Sequence, residues 1–274
     1  MAGRSSSVFV IQFAFASIPN ACCFLCPTSH PFPLGTVRDR MTNFRIIHTT
    51  IPGRKGPAVS KENQDRVLVR RVRRDGSSLF LVGIADGISR CPCGGRVAEY
   101  LMGKHLKRDR MFTRTDPGPA RQLEEYLERL NTQFYEEFID HPKMLASGAT
   151  MSIGLLENDT AHHYWVGDSP ILIARRDDAG FHVSQLSIPD VCGRLLTDCF
   201  GADAPFRIKK SKVGLERGDV FVIASDGAVK DAELFREMLN EYGVTRRLLQ
   251  MLRKLVTAPE YFDDASIVLV ERTR

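Results

Sequence analysis

The chain has 274 residues and a mass of 30.8 kDa, and its 43% hydrophobic and 26% charged composition is that of an ordinary globular protein with room for one large core or two small ones. Collagen-like, coiled-coil and fully disordered classes are excluded. The 38 Lys and Arg residues against 33 Asp and Glu leave a net charge of +5, too nearly balanced to mark a nucleic-acid binder.

Residues 1–40 form an irregular leader, charged only at Arg4, Arg38, Asp39 and Arg40, and they hold +2 of the +5, leaving +3 on residues 41–274. Two origins are open for it. The sequence favours a start at Met41, where Met41-Thr-Asn-Phe-Arg-Ile-Ile-His opens into strand-like sequence; the alternative is a signal peptide, with Arg4, the apolar run Val8–Phe13 and a small-x-small Ala14-Phe15-Ala16. No run approaches the roughly 18 apolar residues of a membrane-spanning helix. Beyond the leader, Cys91, Cys93, Cys192 and Cys199 contain no CxxC pair, which argues against structural zinc and for reduced thiols in a cytoplasmic protein.

Val67–Val72 and Leu79–Ala85 are strands around an Asp75-Gly76 hairpin turn. Apolar residues at Val97, Leu101, Met102 and Leu106 predict a helix after the Cys91–Gly95 loop. A longer helix after Pro119 presents Leu123, Leu127, Leu130, Phe134 and Phe138 as one stripe. Thr150–Leu156, His162–Val166, Ile171–Arg175 and Phe181–Leu186 read as an antiparallel meander. Strand Val220–Ala224, a helical region Ala232–Val256 broken at Gly243, and strand Ser266–Glu271 complete an α+β layered domain. Trp165 and one of His162 and His163 belong to the core, since strand neighbours face opposite ways. Arg70, Arg71, Arg73 and Arg74 read as a solvated hairpin tip.

The acids carry the functional signal. Asp65 precedes Val67–Val72, Asp86 follows Leu79–Ala85, Asp226 follows Val220–Ser225, Asp263 and Asp264 precede Ser266–Val270, and Asp168 ends His162–Val166. One Asp at a strand end is a common turn feature. Several together repel unless a divalent cation neutralises them, and all-oxygen ligation selects Mg²⁺ or Mn²⁺ over zinc or copper. Two such ions can turn water into hydroxide and clamp an in-line displacement, so phosphate-ester hydrolysis is the natural chemistry.

The segments Glu62-Asn63-Gln64-Asp65, Gly83-Ile84-Ala85-Asp86-Gly87, Ser147-Gly148-Ala149-Thr150, Trp165-Val166-Gly167-Asp168-Ser169, Arg217-Gly218-Asp219 with Ala224-Ser225-Asp226-Gly227, and Asp263-Asp264-Ala265-Ser266 resemble, in this order, the metal-dependent type 2C protein serine/threonine phosphatases of bacterial type. The resemblance spans about residues 44–271 and makes 41–274 a phosphatase-like domain. It implies an αββα sandwich, two antiparallel β-sheets flanked by helix pairs. It also implies two Mn²⁺ or Mg²⁺ ions held by Asp65, Asp86, the Gly87 carbonyl, Asp226 and Asp263, with Asp86 bridging and the attacking water held at Asp65 and Asp86. Asp168 matches an acid at a third metal.

Three positions depart from the family. Ser60 stands where an Arg grips the substrate phosphate, leaving Lys61 or Arg54 to serve. Lys230 stands where an Asp is common, and Ile88 replaces the His of eukaryotic members, so water protonates the leaving alkoxide. The implied activity is hydrolysis of phosphoserine and phosphothreonine in a phosphorylated protein partner, opposed by a Ser/Thr kinase, by a monomer with no nucleic-acid or membrane-spanning role. The alternative function is a weak or inactive module that binds a phosphoprotein, and a metal-dependent phosphodiesterase shares the two-metal logic.

Overall fold

The runs Leu79–Ala85, Val220–Ala224 and Ser266–Val270 are buried along their whole length, which requires a covering layer on both faces of each strand. The computed structural model describes residues 35–38, 43–53, 62–74, 77–107, 109–112, 116–193, 195–201, 207–258 and 261–274, all within the unit 32–274. In chain order the elements are β1 (Gly35–Arg38), β2 (Phe44–Ile51), β3 (Arg66–Arg74), β4 (Ser77–Ala85), α1 (Gly94–Ala98), α2 (Pro119–Phe138), the short α3 (Pro142–Leu145), β5 (Met151–Glu157), β6 (Thr160–Val166), β7 (Ile171–Asp177) and β8 (Gly180–Gln185). There follow β9 (Val191–Cys192), β10 (Leu195–Leu196), β11 (Lys209–Gly214), β12 (Val220–Ala224), α4 (Ala232–Tyr242), α5 (Arg246–Val256) and β13 (Ala265–Arg272).

One antiparallel sheet has the order β1-β2-β13-β12-β7-β8 and the other β11-β6-β5-β4-β3. Side-chain alternation along the strands fills three apolar layers. Leu79 and Leu81 of β4, with Ile153 and Leu155 of β5, pack under α1 and the Leu123–Phe134 stripe of α2. Val220 and Val222 of β12, with Ile267 and Leu269 of β13, pack under α4 and α5. Phe80, Val82, Phe221, Ile223 and Val268 meet between the sheets. The expected αββα sandwich is the fold observed.

Four local expectations change. The meander does not exist as one sheet: β5 and β6 pair in the five-stranded sheet, whereas β7 pairs with β12 and β8 in the other. The chain crosses between sheets at 167–170, where Gly167 adopts φ +97° and a Cβ would lie 2.8 Å from the Thr150 side chain. Second, residues 35–38, placed by sequence in the leader, pair with β2 and lengthen the sheet as β1. Third, the helix after Gly94 is α only to Ala98 and continues as a π-helix over Glu99–His105, with the Leu106 N–H bonded to the Leu101 carbonyl. Fourth, β11 escaped notice because Lys209, Lys210 and Lys212 make it a polar edge strand. Trp165 and His163 are buried, as expected.

The sheets approach closely where Gly154 of β5 meets Phe221 of β12, since a Cβ there would lie 2.6 Å from the Phe221 ring. Gly154→Ala is expected to lower stability by about 1–3 kcal/mol through overpacking, read as a lower urea midpoint. An unchanged midpoint would show that the interface has slack.

Candidate metal centre

Antiparallel register brings the acids to one end of the sandwich. Arg66 at the start of β3 lies opposite Ala85 at the end of β4, so Asp65 and Asp86 leave the five-stranded sheet side by side. In the other sheet Ala224 lies opposite Ile267, and the Ser225 N–H donates to the Ser266 carbonyl at 2.9 Å, which puts Asp226 beside Asp263 and Asp264. The 167–170 crossing carries Asp168 over the seam, where the Ala224 N–H donates to the Pro170 carbonyl at 3.0 Å.

These carboxylates act on one another. Burial pushes the Asp65 carboxyl up to about 7; the Asp264 charge adds to the rise, and the neighbouring Ser266 and Ser225 hydroxyls and Asp86 oppose it. The Ser266 hydroxyl nevertheless donates to Thr50 Oγ1 at 2.7 Å, and both Asp65 carboxylate oxygens are buried without a hydrogen-bond partner. Burial, followed by the charges of Asp65, Asp226 and Asp263, raises Asp86 well above the usual carboxylate range. Burial also pushes Asp168 up to about 6, with the Asp226, Asp263 and Asp190 charges adding to it.

Asp86 and Asp65 each rest on a backbone clamp. The Thr150 N–H donates to the Asp86 carbonyl at 2.8 Å, the Asp86 N–H donates to Thr150 Oγ1 at 3.2 Å, and Thr150 Oγ1 shares a proton with Ser169 Oγ at 2.6 Å. Gly87 packs so tightly that a Cβ would lie 2.4 Å from the Gly94 carbonyl carbon. The Asp65 N–H donates to Asn63 Oδ1 at 2.8 Å, and Asn63 Nδ2 donates to Thr50 Oγ1 at 2.7 Å. Arg66, next to Asp65, spends its guanidinium elsewhere: Nη1 donates to the Asn63 and Asp65 carbonyls at 2.7 and 2.9 Å, and Nε to Glu99 at 2.6 Å.

Asp263 and Asp264 divide the work. The Gly53 N–H donates to Asp264 Oδ1 at 2.7 Å and the Gln64 N–H to Asp264 Oδ2 at 2.8 Å, so Asp264 ties the end of β2 to the loop that presents Asp65. Asp263 is the member whose charge reaches Asp86 and Asp168. Gly227 cannot carry a side chain, because its Cβ would lie 1.8 Å from the Asp264 carbonyl oxygen.

Asp219 of the Arg217-Gly218-Asp219 segment lies at the opposite end of β12 from Asp226, where its carboxylate accepts the Glu216 N–H at 2.9 Å. Lys61, Arg54 and Ser60 lie outside the described residues. A positioning residue not singled out by sequence is Asp190: Oδ2 accepts the Gly167 N–H at 2.9 Å, and Oδ1 pairs with Lys209. Its only sequence cue was an acid after Pro189. In the basic hairpin, Arg70 donates to the Leu106 carbonyl and Arg71 to Ser78.

Among the described residues no three His, Cys, Asp or Glu side chains close into a ligand cage. The donor set still fits hard divalent cations, being all oxygen, mutually repulsive and orphaned at Asp65. The family model for Stage II sporulation protein E (SpoIIE) matches residues 98–273, more than half of the chain. The chain belongs to the SpoIIE family.

The SpoIIE match takes in Asp168, Asp226 and Asp263 and starts after Asp65 and Asp86. Among solved structures the fold recurs in Stp1, a serine/threonine phosphatase from Staphylococcus aureus, with TM-score 0.71 and 15% identity, covering 89% of this chain and 98% of that one. A bacterial serine phosphatase gives TM-score 0.68 at 14% identity, covering 83% and 97%. The catalytic domain of the serine/threonine phosphatase PstP, in complex with 2 manganese ions, gives 0.64 at 16%, covering 84% and 99%. No curated protein matches the chain. The family resemblance read from the motifs therefore holds for family and fold.

The burial of Asp65, with the Asp264 charge adding to it, gives a signed prediction for this SpoIIE-family protein. A carboxyl raised in the fold from the usual 3.8 to about 7 lowers metal-free stability progressively as pH rises through that window. In EDTA, Asp65→Asn is expected to raise stability by about 1–3 kcal/mol at pH 7.5 and by much less at pH 5, where the wild-type carboxyl is protonated. Thermal melts of both proteins at both pH values measure this, and no gain at pH 7.5 would contradict a buried, unneutralised Asp65 carboxylate.

Proposed function

We propose that the protein is a Mn²⁺- or Mg²⁺-dependent protein serine/threonine phosphatase. The observation that supports it most is the gathering of Asp65, Asp86, Asp226 and Asp263 from both sheets at one end, with both Asp65 oxygens buried and unpartnered. The fold is that of bacterial serine/threonine phosphatases, one of them crystallised with 2 manganese ions.

In this reading Asp65, Asp86, Asp226, Asp263 and the Gly87 carbonyl would hold two ions, and Asp168 would be available to a third. When bound, the ions supply the Lewis acidity that activates water and neutralises phosphoryl oxygens, a need set by how slow phosphate-monoester hydrolysis is uncatalysed. Thr150 orients Asp86, Asp264 fixes the loop before Asp65, and Asp190 holds Gly167 so that Asp168 faces the seam. Ile88 has no proton to give, so the leaving alkoxide takes one from water.

The partner is a phosphorylated protein, and its phosphorylation calls for an opposing Ser/Thr kinase. A cytoplasmic signalling role for a monomer accords with reduced thiols; no helix among the described residues is long and apolar enough to cross a membrane. A phosphothreonine peptide and p-nitrophenyl phosphate should both be hydrolysed with Mn²⁺ and spared in EDTA. Asp86→Asn should lower kcat/KM by more than roughly 100-fold, beyond the loss typical of outer-shell partners. Turnover indifferent to EDTA or to Asp86→Asn would overturn the reading.

A further inference from the structure

We propose that Lys230, held over the Tyr261 ring at the edge of the carboxylate cluster, binds the phosphoryl group of the substrate. The assignment rests on the phosphatase reading for the identity of the anion.

Lys230 follows Asp226 by four residues, and a tight turn joins them: the Ala228 and Val229 N–H groups both donate to the Ser225 carbonyl, at 3.0 and 3.4 Å. Its Nζ lies 4.3 Å from the Tyr261 ring centroid. Tyr261 precedes Asp263 by two residues and lies within reach of the Asp263 and Asp226 charges. The ring thus fixes an ammonium beside two of the four clustered acids. Lysine is otherwise a mobile point charge on a flexible stem, so this contact supplies positioning that the side chain lacks by itself.

The ammonium is exposed, and no carboxylate among the described residues forms an ion pair with it. A cation–π contact consumes no hydrogen-bond acceptor, so the three N–H donors remain available to an anion. A cation beside acidic metal ligands opposes metal binding and gains nothing from the protein's own charges. It becomes favourable once the ligands are neutralised and a phosphate dianion arrives. Among the described residues, two other cations near the acids are engaged: Arg66 with backbone carbonyls and Glu99, and Lys209 with Asp190.

The test uses inorganic phosphate titrated into the Mn²⁺-loaded full chain, a measurement that needs no turnover, with Lys230→Met and Lys230→Arg as variants. Lys230→Met should weaken phosphate binding about tenfold, the effect of losing a charge-assisted hydrogen bond. It should raise KM by a similar factor for both p-nitrophenyl phosphate and the phosphothreonine peptide, while Mn²⁺ affinity holds or improves; Lys230→Arg should restore most of the loss.

Unchanged phosphate affinity in Lys230→Met, or no phosphate binding by the loaded wild type, would overturn the assignment. So would a parallel fall in Mn²⁺ affinity, which would make the lysine–tyrosine pair structural. A KM effect confined to peptides with acidic flanks would move Lys230 onto a neighbouring carboxylate and overturn the phosphoryl assignment. Loaded wild type that binds phosphate through Lys230 but hydrolyses neither substrate would remove the phosphatase reading and leave the Lys230 site standing.

Discussion

Like charges forced together in a partly buried place are the constraint on which this molecule is organised. Asp65 and Asp86 come from one sheet and Asp226 and Asp263 from the other, so the same packing that closes the inter-sheet core presses the two acidic pairs toward each other. Burial first, and neighbouring carboxylate charges after it, raise Asp65, Asp86 and Asp168 above the usual carboxylate range. The fold tolerates them because strand ladders and the inter-sheet layer supply the compensating stability. A divalent cation would convert the repulsion into a binding site, and the protein would then be more positive around that end than its formal charge suggests.

Clamping makes the arrangement specific. Thr150, Asp264 and Asp190 lie on three different segments, and each accepts backbone N–H groups from a loop that presents an acid. Buried hydroxyls continue the pattern: Ser266 donates to Thr50, which also accepts from Asn63, and the Ser266 N–H donates to Ser225. These bonds hold the acids by their main chains, and at Asp65 both carboxylate oxygens stay without a hydrogen-bond partner. Such outer-shell order is what metal chemistry requires of a protein.

Much of this was legible in the amino-acid order. Uninterrupted apolar runs bounded by Asp marked β4, β12 and β13 together with Asp86, Asp226 and Asp263, because a strand buried on both faces begins or stops where a charge sits. Alternation could not show which sheet a strand joins, so β6 and β7 read as hairpin neighbours although the chain changes sheets between them. The polar edge strand β11 lacks a buried face to betray it, and β1 is only four residues long. The π-helical turn after Ala98 keeps the same apolar residues inside as an α-helix would, so spacing alone could not distinguish the two. Asp190 was hidden for a different reason: its partner Gly167 lies 23 residues away in sequence, and only the folded chain joins them. The division of roles between Asp263 and Asp264 likewise emerged only from which backbone groups each one accepts.

In the proposed phosphatase the gathered acids would hold two ions around Asp86. Anomalous diffraction at the manganese edge from crystals grown with Mn²⁺ measures that most directly. Two peaks flanking the Asp86 carboxylate, within ligand distance of Asp65, Asp226 and Asp263, are the predicted result. Manganese bound elsewhere, or an Asp86 carboxylate with no ion beside it at saturating Mn²⁺, would contradict the account.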